Sequence, residues 1–308
     1  MITVTGAASD DVLARTAIAR CARELLAAAD VTPEYRAALH MALAMPGNIL
    51  SDAPDARWVR LVWTCCTAAG GHWEQVIPVA AAAEIFMVAL DVLDDEEDGE
   101  VNPLQGALGA ARALNVSTSL LLLAQQSLWD LDDGATMARL LLTAGLHACA
   151  GQHADLAPET ERCIGLNAAF TIAAEKSASL VAALCRLGAL CAGADASLQE
   201  RYGRFGRNVG MVAQLANDIA AMRPDADGKT DITLARPTLP LTYTALFAPD
   251  ATQQGDDAMA PSDVWHGGAG YLTLAVADTY RRYALDLIPH LTDDHAGRAA
   301  LAALLDDL

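Results

Sequence analysis

Apolar residues recur at intervals of three and four along almost the whole chain, and sustained alternation of apolar and polar positions occurs nowhere. A period near 3.6 marks helices buried on one face, whereas a period of two would mark strands. The pattern predicts helices over roughly 10–29, 33–45, 55–70, 75–98, 104–130, 134–155, 160–193, 196–223, 233–248, 262–290 and 293–306. Ser9 or Asp10 is placed to open the first and Ser262 the penultimate one. Two stretches rich in Asp and Gly lack helical period: Pro224 to Thr233, read as a loop at a functional site, and Ala248 to Pro261, read as a surface connection. The fold class is therefore all-α. No linker or break in composition divides the 308 residues, so one helical domain spanning 1–308 is expected.

The segment from Pro78 onward is the most apolar of these helices. Ile85, Phe86, Met87, Val88, Ala89 and Leu90 are apolar all round, the pattern of a helix enclosed by others. Asp91, Asp94, Asp95 and Asp98 follow at positions i, i+3, i+4 and i+7, which share one face, and Glu84 extends that face toward the N-terminus. Such carboxylates are costly on a core-facing surface unless a cation neutralises them, and few Lys or Arg lie nearby in sequence. A solvated helix end accounts for Glu96, Glu97 and Glu100 but not for Asp91 and Asp94. A ligand set of oxygens without His or Cys favours a hard cation, Mg2+ before Mn2+ or Ca2+. Mg2+ is usually held by one or two carboxylates together with phosphate oxygens, so the expected substrate is a phosphate or diphosphate ester.

A second apolar helix is interrupted in the same way. Gln214, Asn217, Asp218 and Ala221 share a face, with Asp225 one turn beyond and Lys229, Asp231 and Arg236 following. Two interrupted helices facing each other could clamp Mg2+ ions between them; a buried polar network is the other reading of Asn217 and Asp218. Lys176, inside an apolar helix, either extends its amine to solvent or holds a diphosphate. Gln152 and Asp155 either line a cavity or are hydrogen-bonded in the core.

Composition narrows the partners. Hydrophobic residues make up 53% of the chain and charged residues 19%, ample material for a helical core. A net charge of −19 argues against nucleic acid or an anionic membrane surface, so an anionic substrate must be met by metal. Seven cysteines without CxxC spacing suggest reduced, buried thiols, and seven dispersed histidines suggest no zinc site. No apolar run reaches the length of a membrane span without a charge, and the N-terminus carries no basic region or apolar signal core. A soluble cytoplasmic protein is expected.

With these residues in view, DDEED at 94–98 resembles the DDxxD motif of the isoprenyl diphosphate synthases. QLAND at 214–218, KTDI at 229–232 and RPTLPLTY at 236–243 resemble that family's second aspartate motif and its sequel, and GQHADL at 151–156 and EKSASL at 175–180 fall in its order. The resemblance covers roughly residues 50 to 245. It implies an isoprenoid synthase helical bundle with the two motifs facing each other across a central apolar cavity. It also implies three Mg2+ ions binding the diphosphate of an allylic prenyl substrate. Asp94 and Asp98 would be direct ligands, Asp95 their support, and Asn217 and Asp218 the ligands from the opposite wall. Lys176, Lys229 and Arg236 would hold diphosphate oxygens. Phe86 and Met87 would help floor the cavity, with Asp91, Gln152, Asp155 and Gln214 lining or supporting it. Asn217, Ala221 and Asp225 have the spacing of the metal triad of terpene cyclases without its hydroxyl member, which makes Asp225 a further candidate ligand.

Chain-elongating members of the family carry a GGKRxRP element for isopentenyl diphosphate, a His seven residues before the first Asp, and an Arg pair after the motif. Here the early stretch reads DAPDARWVRLVW, the His position is Met87, and no Arg follows Asp98 in DGEVNPLQG; Arg57 and Arg60 are the only remnants. A lost second diphosphate site makes a Mg2+-dependent class I terpene synthase acting on a C10 to C20 prenyl diphosphate the leading expectation. Phe86, Phe170, Trp63 and Trp129 are the aromatic candidates to steer its cation. A prenyltransferase to isopentenyl diphosphate or to another acceptor is the alternative, as in bacterial enzymes that modify a pheromone tryptophan or a glycolipid precursor and look similar around Ala113 to Val116. A silent regulatory subunit is a third reading. Family members commonly form homodimers through helices beside the first motif, and the apolar 113–128 stretch is compatible with that or with plain core.

Overall fold

The most apolar segment becomes the central helix of the bundle. In the structure, a computed structural model describing residues 5–156, 165–222, 236–247 and 261–306, a single 3-10 turn (Trp73–Val76) leads into α4 (Ile77–Asp98). Val79 to Ala89 are buried without exception, and Gly99, at φ 70°, ends the helix in the left-handed conformation that favours glycine. Preceding it are α1 (Thr5–Ala28), α2 (Pro33–Leu43) and α3 (Arg57–Ala68). After it come α5 (Pro103–Leu108), α6 (Ala110–Leu128), α7 (Gly134–Asp155) and α8 (Leu166–Ala173). A π-helical turn (Ala174–Ala178) then runs into α9 (Ser179–Cys191) and α10 (Ala196–Ala220). The rest comprises α11 (Leu239–Phe247), α12 (Pro261–His266), α13 (Ala269–Leu287) and α14 (His295–Asp306).

Helix α4 packs against α1, α3 and α6, while α10 packs against α9, α13 and the π turn. The main core joins α1 to α4, α6, α7 and α9. A second apolar cluster joins Ala173, Ala178, Met211, Leu215, Leu239 and Tyr243, so the π turn stands where the two cores meet. The expected long helices over 104–130 and 262–290 are each cut in two, at Gly109 (φ 80°) and Gly268 (φ 93°). A glycine does not disturb an apolar period, but its positive φ ends the helix all the same. Helix α1 begins at Thr5, so Ser9 and Asp10 lie inside it, and Ser262 is the second residue of α12 rather than a cap. The loop expected at Pro224 to Thr233 lies outside the described residues, as does most of the connection from Ala248 to Pro261.

Two helical stretches, Trp73–Asp98 and Leu166–Cys191, are long and apolar enough to cross a membrane by length and composition, although each is interrupted by charged residues, as expected from the sequence. Both are mainly buried inside the bundle, where a central helix needs the same composition. The thiols are also less uniform than expected. Cys65, Cys66 and Cys185 are buried, Cys21 and Cys191 are partly so, and Cys149 is exposed. Helix α6 buries Ala113, Val116, Leu120, Ala124 and Leu128 but leaves Leu114 and Leu122 in solvent, and α7 exposes Leu142 and Leu146.

Candidate functional site

The aspartate stripe at the end of α4 separates into pairs with different partners. Asp94 and Asp98 face Lys176 of the π turn, whose Nζ lies 3.4 Å and 3.8 Å from them and 3.1 Å from Asp155 of α7. Arg236, just before α11, places Nη2 2.9 Å from Asp98 Oδ1 and donates through Nη1 to the Asp155 carbonyl at 3.5 Å. Gln152 adds an Nε2 bond to Asp98 at 3.3 Å. Asp91 instead turns to α3, accepting from Trp58 Nε1 at 3.3 Å, and Asp95 accepts from Asn102 Nδ2 at 2.8 Å. Asn102 also caps α5 by accepting from the Gln105 amide at 2.8 Å, so the turn after the stripe is tied to the stripe itself. Glu84 does not join the stripe: it is 1% exposed and takes the Ile49 amide on Oε1 at 3.0 Å.

Two close approaches of backbone put Lys176 in place. A Cβ at Gly151 of α7 would stand 2.4 Å from the Lys176 amide nitrogen, and one at Gly210 of α10 would stand 2.6 Å from the Ala178 Cα. These glycines let α7 and α10 grip the π turn from two sides. The wider turn aims Lys176 at α4 and α7 while Ser177 bonds Gln214 of α10. Gln214 passes the chain on to Asp218, Nε2 to Oδ1 at 3.0 Å. Asp218 is 3% exposed, whereas Asn217 lies on the solvent side of α10. The expected common face of Asn217 and Asp218 is thus divided between solvent and interior. Lys229 and Asp225 lie outside the described residues.

Burial dominates the electrostatics. Desolvation pushes the Asp94 carboxyl up to about 6, with Lys176 opposing and Asp98 and Asp91 adding to the rise. Asp91 is likewise pushed up to about 6 by burial, against Arg57 and the Trp58 hydrogen bond, and Asp95 is raised by burial against its bond to Asn102. For Lys176, burial disfavours the ammonium, but Asp155, Asp94 and Asp98 outweigh it and hold the amine protonated.

Among the described residues, no group of three or more His, Cys, Asp or Glu is gathered closely enough to hold a metal ion alone. The donors on the outer face of α4 are nevertheless hard oxygens, and the Asp94 side chain is 46% exposed while Asp98 beside it is 14% exposed. That set fits Mg2+ arriving with a diphosphate, which would complete its shell, rather than a resident ion. Phe86 and Met87, expected at the cavity floor, are core side chains 2% and 1% exposed, and the Phe86 ring fills the space left by Gly145 of α7. Trp63 is buried in the main core and Trp129 is exposed.

Sequence reasoning missed Trp58, Asn102, Ser177 and Gly151. An Asn capping a short helix, a Ser beside Lys176 and a Gly before Gln152 were visible; Ser177 and Gly151 acquire their roles from distant segments, whereas Asn102 acts on neighbouring Asp95.

Comparison with known proteins identifies the family. The profile of the polyprenyl synthetase family matches residues 57–262. A (2E,6E)-farnesyl diphosphate synthase of Mycobacterium tuberculosis is 34% identical over 197 residues, covering 60% of this chain and 55% of that protein. A tryptophan prenyltransferase of Bacillus spizizenii is 29% identical over 174 residues, covering 55% and 59%. The chain thus spans little more than half the length of either relative. Among solved structures, a geranylgeranyl pyrophosphate synthetase from the archaeon Geoglobus acetivorans superposes with a TM-score of 0.83 at 18% identity over 99% of both chains, which establishes the all-α fold. With its aspartate-rich α4, its lysine-bearing π turn and this match over residues 57–262, the chain belongs to the polyprenyl synthetase family.

Proposed function

We propose that this protein is a Mg2+-dependent prenyltransferase that ionises an allylic prenyl diphosphate and delivers the prenyl group to an acceptor. The observation that carries it is the convergence of Lys176 and Arg236 on Asp94, Asp98 and Asp155. Three carboxylates, Asp94 half-exposed and the other two largely buried, and two largely buried cations form a charge reserve that a diphosphate and its counter-ions can rearrange. Asp94 and Asp98 would hold Mg2+, with Asp218 contributing from α10. Bound there, Mg2+ supplies electrostatic stabilisation of the departing diphosphate. Lys176 and Arg236 turn from the α4 carboxylates to phosphate oxygens, Asp155 keeps those cations oriented, and Gln152 holds Asp98. Lys229 and Asp225 belong to the same proposal on sequence grounds alone.

Transfer takes precedence over cyclisation, reversing the order expected from sequence, because the relatives named above are a prenyl diphosphate synthase and a tryptophan prenyltransferase. A silent subunit would not need the Lys176 and Arg236 cluster. We place the enzyme in the cytoplasm as a homodimer joined through the exposed leucines of α6 and α7. The test is farnesyl diphosphate binding measured with and without Mg2+. Binding that needs Mg2+ and weakens at least tenfold in Asp94→Ala supports the proposal. A cyclic hydrocarbon formed from farnesyl diphosphate alone would establish a terpene synthase instead.

A further inference from the structure

Helices α8 and α9 form one continuous run from Leu166 to Cys191 that changes hydrogen-bond register at the π turn, Ala174–Ala178. Such a change in mid-helix is rarer than the regular pattern and persists where the surroundings hold it. The bonds at Ser179 show what holds this one. Its amide donates to the Ala174 carbonyl, five residues back, and not to the Glu175 carbonyl, four residues back, that a regular α-helix would use. The Glu175 carbonyl thereby loses its usual donor. The Ser179 hydroxyl takes the place of its own amide: Oγ donates to the Glu175 oxygen at 2.7 Å, with the Ala144 carbonyl of α7 a second acceptor at 3.3 Å.

Packing and polar partner act on the same carbonyl. Ser179 is buried, and Gly151, further along α7 from Ala144, lies so close that its missing Cβ would stand 3.0 Å from the Glu175 carbonyl carbon. The glycines at 151 and 210 leave space for the turn in its wide form, and the Ser179 hydroxyl supplies the donor which that form would otherwise lack. A buried carbonyl left without a donor is costly, so the hydroxyl weighs in the choice of register. Regular α-helical register would absorb the extra residue, rotating α8 by about 100° and moving it by about 1.5 Å relative to α9. Lys176, inside the turn, would then leave the arc that brings Nζ to 3.4 Å from Asp94, 3.8 Å from Asp98 and 3.1 Å from Asp155.

We propose that Ser179 is a positioning residue: its hydroxyl, bonded to the Glu175 and Ala144 carbonyls, holds the π turn in register and so keeps Lys176 on the aspartate cluster. The consequence for diphosphate binding rests on the prenyl-transfer reading above; the coupling between Ser179 and Lys176 does not. In Ser179→Ala the amide can return to the Glu175 carbonyl and the turn relaxes to α-helix. Alanine is the strongest helix former, so a loss of binding in this variant does not come from a melted helix.

The experiment is a double-mutant cycle on the whole chain, with the wild type, Ser179→Ala, Lys176→Met and the double variant. It is read twice at pH 8, by urea unfolding without ligand and by calorimetric titration with farnesyl diphosphate and Mg2+. Circular dichroism verifies that each protein is folded, and Ser179→Cys, close to serine in size and a weak donor, takes the place of the alanine variant if that one does not fold. Ser179→Ala should weaken farnesyl diphosphate binding about tenfold in the wild-type background and leave it nearly unchanged in the Lys176→Met background, as expected of groups that act as a unit. In unfolding, Lys176→Met should lower the urea midpoint of the wild type and have little further effect on Ser179→Ala. Additive effects of the two substitutions in either cycle overturn the proposal, as does a Ser179→Ala affinity equal to that of the wild type. If farnesyl diphosphate does not bind the wild type, the prenyl-transfer reading falls and the unfolding cycle alone decides the role of Ser179.

Discussion

Glu84→Gln should make the protein more stable at neutral and alkaline pH and leave it nearly unchanged in acid. Burial pushes the Glu84 carboxyl up from 4.5 to about 7; the Ile49 amide and Arg57 oppose the rise and Asp91 and Asp55 add to it. Below pH 4.5 the group is protonated folded and unfolded, and its titration costs nothing. Between 4.5 and 7 the unfolded chain releases the proton while the folded protein retains it, so stability falls as pH rises, and the loss is complete above 7. At 1.36 kcal/mol per pH unit the loss reaches about 3 kcal/mol by pH 8. Glutamine has the same shape, its amide oxygen still accepts from Ile49, and it does not titrate. Urea unfolding of both proteins at intervals from pH 4.5 to 8 gives a difference curve in which the titrations of Asp91 and Asp94 largely cancel. It should climb by about 3 kcal/mol in favour of glutamine across that range. A difference curve flat to within about 0.5 kcal/mol, well below that expectation, would refute the assignment of an unpaired, desolvated carboxylate at this position.

Three further outcomes are expected. Lys176→Met leaves Asp94, Asp98 and Asp155 facing one another with Arg236 alone to balance them, and should cost about 2 kcal/mol at pH 8 after allowance for the exposed side of Asp94. The deficit should shrink below pH 6, where Asp94 is protonated, and denaturant melts at pH 5 and 8 would detect it. Gly151→Ala puts a methyl 2.4 Å from the Lys176 amide nitrogen, so it should lower stability by about 1–3 kcal/mol despite alanine's helix preference, and lower diphosphate release with it. The pair Leu122→Glu and Leu146→Glu, at positions 67% and 73% exposed, should convert a dimer to a monomer in analytical ultracentrifugation without lowering the melting temperature of the subunit.

Local pattern determined the helices. The apolar period carried most of their bounds but not the breaks at Gly109 and Gly268, and the run from Ile85 to Leu90 identified α4 as the enclosed helix, because a segment apolar all round is stable only when surrounded. The four aspartates were equally legible as a candidate site, since i, i+3 and i+4 spacing places side chains on one face whatever the rest of the chain does. What lay opposite each carboxylate was decided by the tertiary structure. Lys176 and Arg236, which balance Asp98, are 78 and 138 residues away in sequence, and no helical period links them to α4. The same holds for Glu84, which shares the stripe's face by arithmetic but meets the Ile49 amide from a loop that the pattern left undefined. Side-chain spacing sets direction within one helix; charge balance, and hence chemistry, depends on which distant segments pack against it.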